Sequence, residues 1–384
     1  MGVVSTLNRR RLTDAELLRT EFLYRDPENI EGLNRNVPDP EAHPLIIGYY
    51  DETPPGGKKA NRNAPMIRCC HCGRRVHWRG YVVRDSHGET YIIGARNCGR
   101  EHYGGRFEVE EKAFRQEQAR KNALSRWHNL MKLVQPMADE VEALLSLDAL
   151  RVIERKRDEI RRASPEGFGH LIRHHASGSP MMEVKQFRDY EAEARREERY
   201  RLAVRAFAKL PARERRARID QGLQPQQETD PIFVRKSTPL GPLMGAGFLT
   251  EAGDVRAAAL ALRETLLAIR AVNKAGTENA RLNDLTRLLR EMTDRPRRIS
   301  DAQLEVSSVS IFFEPQNLER IERWSSPFAR FSYQQDEGAL LVNDSSRGDT
   351  RIAPLGRTDL VATPTIDSLR YVAEDFLPMM VEAA

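Results

Sequence analysis

The sequence predicts an α-rich α+β protein of several domains: a small metal module, a charged helical middle and a C-terminal α+β domain. Three observations carry this. All four cysteines of the 384 residues fall between positions 69 and 98. From Phe107 to about Leu210 apolar residues recur at three- and four-residue steps within dense charge. Beyond residue 231, helical stretches mix with strand-like alternation. Charged residues make up 30% and hydrophobic residues 40%, and no apolar run approaches the ~20 residues that cross a bilayer. Met1–Arg11 lacks the apolar stretch of a secretory signal. The expectation is a cytoplasmic, reducing environment, where clustered thiols bind metal rather than form disulfides.

Residues 1–57 read as an accessory arm. Thr13 and Glu16 form a capping box ahead of Leu17, Leu18 and Phe22. Leu45-Ile46-Ile47 reads as a strand, and Pro54 to Lys59 as a basic lead into the next module.

The module spans 58–106. Cys69-Cys70-His71-Cys72-Gly73 contains a C-x-x-C-G knuckle, in which two sulfurs converge on one ion and the glycine permits the tight turn. Val76, Trp78, Tyr81 and Val83 form one strand, Asp85-Ser86-His87-Gly88 a turn, and Tyr91-Ile92-Ile93 the return strand, which Gly94 ends. Asn97 stands as N-cap before Cys98-Gly99-Arg100-Glu101-His102, whose cysteine and histidine share a helical face. Gly104-Gly105 cuts this helix to about one turn, and a longer helix restarts near Phe107. The expected ligands are Cys69, Cys72, Cys98 and His102, although Cys70 and His71 stand inside the knuckle and could replace a neighbour. Three thiolates and an imidazole suit one tetrahedral Zn²⁺, and four protein ligands leave no open position for catalysis.

Knuckle, hairpin and ligand-bearing helix together resemble the treble-clef class of zinc fingers over roughly residues 66–104. That fold group includes nucleic-acid binders, protein-interaction modules and some nucleases. The resemblance therefore implies a fold rather than an activity.

Charge adds a partner. From Lys58 to Arg106, eleven Lys/Arg stand against Asp85, Glu89 and Glu101, although the whole chain carries only +5. Arg74, Arg75, Arg79, Arg84, Arg96 and Arg100 are candidate phosphate contacts. Trp78 and Tyr81 are candidates to pack on sugar or base, and Tyr91 and Tyr103 are further exposed-aromatic candidates. Arginine outnumbers lysine 51 to 10, as in a GC-rich bacterial or phage coding sequence. The leading expectation is a nucleic-acid binder, with DNA the first partner. The alternative is an assembly or adaptor protein docking through its helices.

In the middle segment, 107–210, Phe114, Leu124, Trp127, Met131 and Val134 form one stripe ending at Pro136. Helices follow at 137–145, 148–163 and 181–209, the last a short coiled coil or helical hairpin with Val184, Phe187, Tyr190 and Ala194 on one face. Residues 211–230 read as a linker. The C-terminal domain, 231–384, opens on a Gly/Pro turn at 239–247 that lacks the Lys of a phosphate-binding loop. Helices follow near 254–273 and 279–292, a strand through Val309, Ile311 and Phe313, a helix after Pro315, a hairpin through 329–353 and a last helix at 366–382.

No catalytic motif appears. His87, Asn97 and His102 are spaced too closely for a treble-clef nuclease. His170 and His174 have no Glu between them in the position a metalloprotease needs, and Arg347-Gly348-Asp349 reads as a polar turn.

Overall fold

Thr13 opens the described chain as read. Its hydroxyl accepts from Glu16 N while Glu16 Oε2 accepts from Thr13 N at 2.8 Å, closing the capping box of α1 (Asp14–Arg19). The computed structural model describes residues 12–55, 65–95 and 97–355. Most of the predicted basic lead, Arg96 and the expected helix at 366–382 lie outside them. Helix accounts for about 54% of the described residues alongside small sheets, giving an α-rich α+β protein. Among the described residues no helix is long and apolar enough to cross a membrane. The described residues divide into two units, one within positions 12–140 and 262–294, the other within 141–261 and 295–355.

The first unit is built on a three-stranded antiparallel sheet of β1 (Leu45–Asp51), β4 (Arg79–Arg84) and β5 (Thr90–Gly94), with β4 central. Every residue from Thr90 to Gly94 is buried, and Val82 faces Ile92 across the pair. The turn is the predicted one: Asp85 Oδ1 accepts from His87 N and Glu89 N, both at 2.9 Å, and Gly88 takes a φ of 87°. Two short strands, β2 (Ile67–Arg68) and β3 (Arg75–His77), form a separate ribbon.

Helix α2 (Cys98–Tyr103) stops at Gly104, whose φ of 60° favours glycine. Helix α3 (Gly105–Met131) begins at once, two residues before Phe107. It lays Phe107 and Phe114 against the sheet: Phe114 meets Phe22 edge-on at 5.2 Å and Tyr81 at 6.0 Å. Buried Arg120 grips both carboxylate oxygens of Asp14, at 2.6 and 2.9 Å, and donates to the carbonyls of Thr277 and Ala280. A buried guanidinium is tolerable because its donors are occupied in this way. Pro136 falls in the first turn of α4 (Val134–Ser146), where a missing N–H costs nothing.

The second unit contains α5 (Asp148–Ala163) and α6 (Pro165–Ser177), the latter capped by Ser164. Next come β6 (Met181–Arg188), α7 (Tyr190–Ala208), α8 (Ala212–Asp220) and β7 (Phe233–Gly241). Residues 181–188, expected to be helical, are therefore strand, pairing with β7 from Met181↔Gly241 to Arg188↔Phe233. Helix starts only at Tyr190, where Asp189 accepts from Ala192 N at 2.8 Å. Residues 212–220, expected within a linker, are helical.

Helices α9 (Val255–Ala275) and α10 (Leu282–Ser307) match their expected positions, although α10 runs on past residue 292 through Pro296. The expected strand at 309–313 is a helical turn, α11 (Val309–Phe312). Val309, Phe312 and Phe313 are the buried set, and Phe312 packs on Phe248 at 5.3 Å, so the burial follows a helical step rather than alternation. After α12 (Pro315–Ser325), strands β8 (Phe331–Asp336), β9 (Ala339–Asp344) and β10 (Gly348–Ile352) form an antiparallel meander. Arg347, of the polar tripeptide, sends its guanidinium to the Arg162 carbonyl. His170 and His174 pack among Trp324, Phe328 and Phe331.

Candidate metal centre

The knuckle is the turn between β2 and β3. Cys69 N donates to Arg74 O at 3.1 Å, Gly73 N donates to Cys69 O at 2.9 Å, and Gly73 takes a φ of 65°. Cys70 N donates to Ile92 O at 2.9 Å, fastening the turn to β5. Ile67 lies opposite His77, so the register of this short ribbon returns the histidine to the cysteines. Cys98, the first residue of α2, completes the group.

Cys69, Cys72, His77 and Cys98 offer one ligand atom each, all within 4.8 Å of one another. His77 Nε2 lies 3.7 Å from Cys72 Sγ and 3.4 Å from Cys98 Sγ. A tetrahedral ion bonded at ~2.3 Å to sulfur and ~2.0 Å to nitrogen places those atoms about 3.5 Å apart. The group is close enough to hold one metal ion.

Gly94 supports the group in two ways. Gly94 N donates to Cys69 Sγ at 3.4 Å. Gly94 also leaves room for the imidazole, since a Cβ there would stand 2.5 Å from His77 Nδ1 and Cε1. Burial, together with the thiols of Cys69 and Cys72, pushes the Cys98 thiol up to about 12. A bound cation would favour the thiolate form instead.

The fourth corner is thus His77 in place of the expected His102. The His102 Nε2–H donates to the Pro38 carbonyl at 2.7 Å, and its ring packs against His71 at 5.0 Å and Tyr103 at 4.6 Å. Burial lowers its pKa. The shared helical face of positions 98 and 102 is real, but the residue at 102 is occupied elsewhere. Cys70 also stays out: its thiol donates to Asn34 O at 3.3 Å, within a buried cluster of Tyr50, Tyr91 and Ile92. His77 carried a sequence signal, five residues after Cys72. Reading 76–83 as one strand obscured it; the chain turns a corner at Trp78, so β3 pairs with β2 while β4 pairs with β1 and β5.

The expected phosphate contacts divide. Arg74 and Arg84 are exposed. Arg75 pairs with Glu28 at 3.0 Å, Arg79 with Asp51 at 2.8 Å, and Arg100 with Glu108 and Glu111 at 3.5 and 3.4 Å. Tyr81 is 8% exposed and donates to Glu111 Oε1 at 2.8 Å, and Tyr91 and Tyr103 are also buried, so these three are core residues rather than an aromatic surface. Trp78 is half-buried, and its indole N–H has no hydrogen-bond partner among the described residues. The acids that meet these arginines come from outside the local run, from Glu28, Asp51 and helix α3.

No family model, curated protein or solved structure matches this chain.

Proposed function

We propose that the chain is a non-catalytic, zinc-stabilised binding protein. In this reading the Cys69–Cys72–His77–Cys98 group holds one structural Zn²⁺, and the treble-clef-like module it organises contacts nucleic acid, DNA in the first instance. The observation that carries the metal assignment is the convergence of three sulfurs and one imidazole nitrogen, all within 4.8 Å of one another, a donor set that suits Zn²⁺ and leaves it no open position. The nucleic-acid part is supported by Arg74 and Arg84, exposed at either side of the ribbon and sheet, where they would supply phosphate contacts.

The adaptor reading is favoured by a different observation. Arg75, Arg79 and Arg100 are partly neutralised by carboxylates, which weakens the module's pull on a polyanion. Metal analysis of the purified protein and anisotropy titrations against single- and double-stranded DNA and RNA test both. One equivalent of zinc, with binding that weakens steeply in salt and is lost in Arg74→Glu/Arg84→Glu, supports the first reading. Zinc without nucleic-acid affinity selects the adaptor.

A further inference from the structure

From Val184 to Pro242 no residue is buried, yet this stretch holds β6 beyond Glu183 and all of α7, α8 and β7. A helix ordinarily gains most of its stability by packing an apolar face. Neither α7 nor α8 buries a single residue.

Charge is sorted along this stretch. Of the four acids in the first half of α7, Glu191, Glu193 and Glu197 have local partners, and Glu198 stands directly before the basic run. Glu193 takes Arg188 at 2.9 Å and the backbone N–H of Ile232, Glu197 takes Arg201 and Gln227, and Glu191 takes Arg195. Then the balance changes. Between Arg199 and Arg218 stand eight Lys/Arg (199, 201, 205, 209, 213, 215, 216 and 218) against the single acid Glu214. Among the described residues only Arg201 of the eight has an acidic partner, Glu197 at 3.1 Å.

The pattern has a direction. Arg201, Arg205 and Lys209 recur at four-residue steps, so they line one stripe about 12 Å long along the end of α7 and its C-cap, Lys209. Tyr200, Val204 and Phe207 lie on another. Seven of the eight cations are arginine, whose planar fork suits phosphate oxygens better than an ammonium does. An unencumbered helix is the element that enters or crosses the ~12 Å major groove of B-form DNA.

We infer that the segment Arg199–Arg218, the basic half of α7 together with α8 up to Arg218, is a docking surface for the phosphate backbone of duplex DNA. It is separate from the metal module and does not rest on that module's proposed role.

The test uses the full-length, metal-loaded protein and a fluorescein-labelled DNA duplex, titrated by anisotropy at several salt concentrations. Three proteins are compared: the natural chain, Arg205→Gln/Lys209→Gln/Arg213→Gln/Arg216→Gln, and Arg74→Glu/Arg84→Glu. The four-site variant is expected to lose at least about tenfold in affinity, and its slope of log K against log salt to flatten by up to about 3.6, at ~0.9 per phosphate contact. Lysine at the same four sites is expected to restore the slope, and unchanged circular dichroism and zinc content exclude unfolding as the cause.

Loss in the four-site variant alone upholds this inference while the module reading falls. Loss in the Arg74/Arg84 variant alone does the reverse. A natural chain without duplex affinity at low salt overturns the inference. So does binding to anionic phospholipid vesicles in place of the duplex that the four-site variant loses, which would assign the segment to a membrane surface.

Discussion

The metal module and the segment from Arg199 to Arg218 carry similar excesses of positive charge along the sequence, and the fold treats them in opposite ways. In the module, Arg75, Arg79 and Arg100 each meet a carboxylate from elsewhere in the chain, and Tyr81 is turned inward onto Glu111. Between Arg199 and Arg218 the basic side chains project from helices that bury nothing, and among the described residues only Arg201 of them is paired to an acid. A linear charge count measures neither case well. The field at a surface depends on which acids folding brings within about a Debye length, and those can lie dozens of residues away.

The contrast breaks most sharply at the metal. Chelation, or His77→Ala or Cys98→Ser, is expected to unfold residues 65–104, because a structural zinc site is worth about 10–16 kcal/mol in small domains. The helices of the second unit should persist. Amide spectra combined with metal content will read this, and His102→Ala should leave the metal in place; zinc loss in that variant would return His102 to the ligand set.

A smaller effect is expected at Gly94. Alanine there crowds the His77 ring and disturbs the N–H donated to Cys69 Sγ, so metal affinity should drop about 10–100-fold, as for other changes just outside a ligand set. Competition with a chromophoric chelator measures it. Next comes Glu111→Ala, which leaves the buried Tyr81 hydroxyl without its acceptor and should cost about 1–3 kcal/mol in urea unfolding of the module. The smallest changes sharpen the comparison directly. Arg75→Gln should cost about 0–1 kcal/mol through its ion pair with Glu28. Arg205→Gln, which touches no acid, should alter thermal stability by no more than about 0.5 kcal/mol. A larger loss at Arg205 would mean that the segment is a structural element rather than a free surface.

Local chemistry was legible in the sequence and long-range pairing was not. Thr13 with Glu16, the Asp85–Gly88 turn and the Gly104 stop all depend on neighbours within a few residues, and each stands where expected. Three of the four metal-site residues were legible for the same reason, since knuckle spacing is a local constraint. His77 was not, because its position depends on β3 pairing with β2 rather than continuing into β4. Residues 181–188 read as helix because their partner, β7, begins 45 residues after Arg188 in the chain. Val309, Ile311 and Phe313 alternate as a strand would, but the Phe312–Phe248 packing decides otherwise, and so short an apolar run fits either period. Asn97 precedes α2 as read, yet its side chain makes no capping hydrogen bond.

The order of the four ligands along the chain carries a kinetic consequence. Cys69, Cys72 and His77 lie within nine residues, on one short ribbon, while Cys98 lies beyond the β4–β5 hairpin. An incoming ion is therefore expected to be caught first by the three-ligand ribbon, at little cost in loop closure, and sealed only when Cys98 arrives. Cys98 stands just past the far end of that hairpin, so its closure on a bound ion is expected to follow the pairing of β4 with β5. Stopped-flow loading with cobalt would resolve this as a fast tridentate spectrum that Cys98→Ser retains, followed by a slower tetrahedral one that it never reaches.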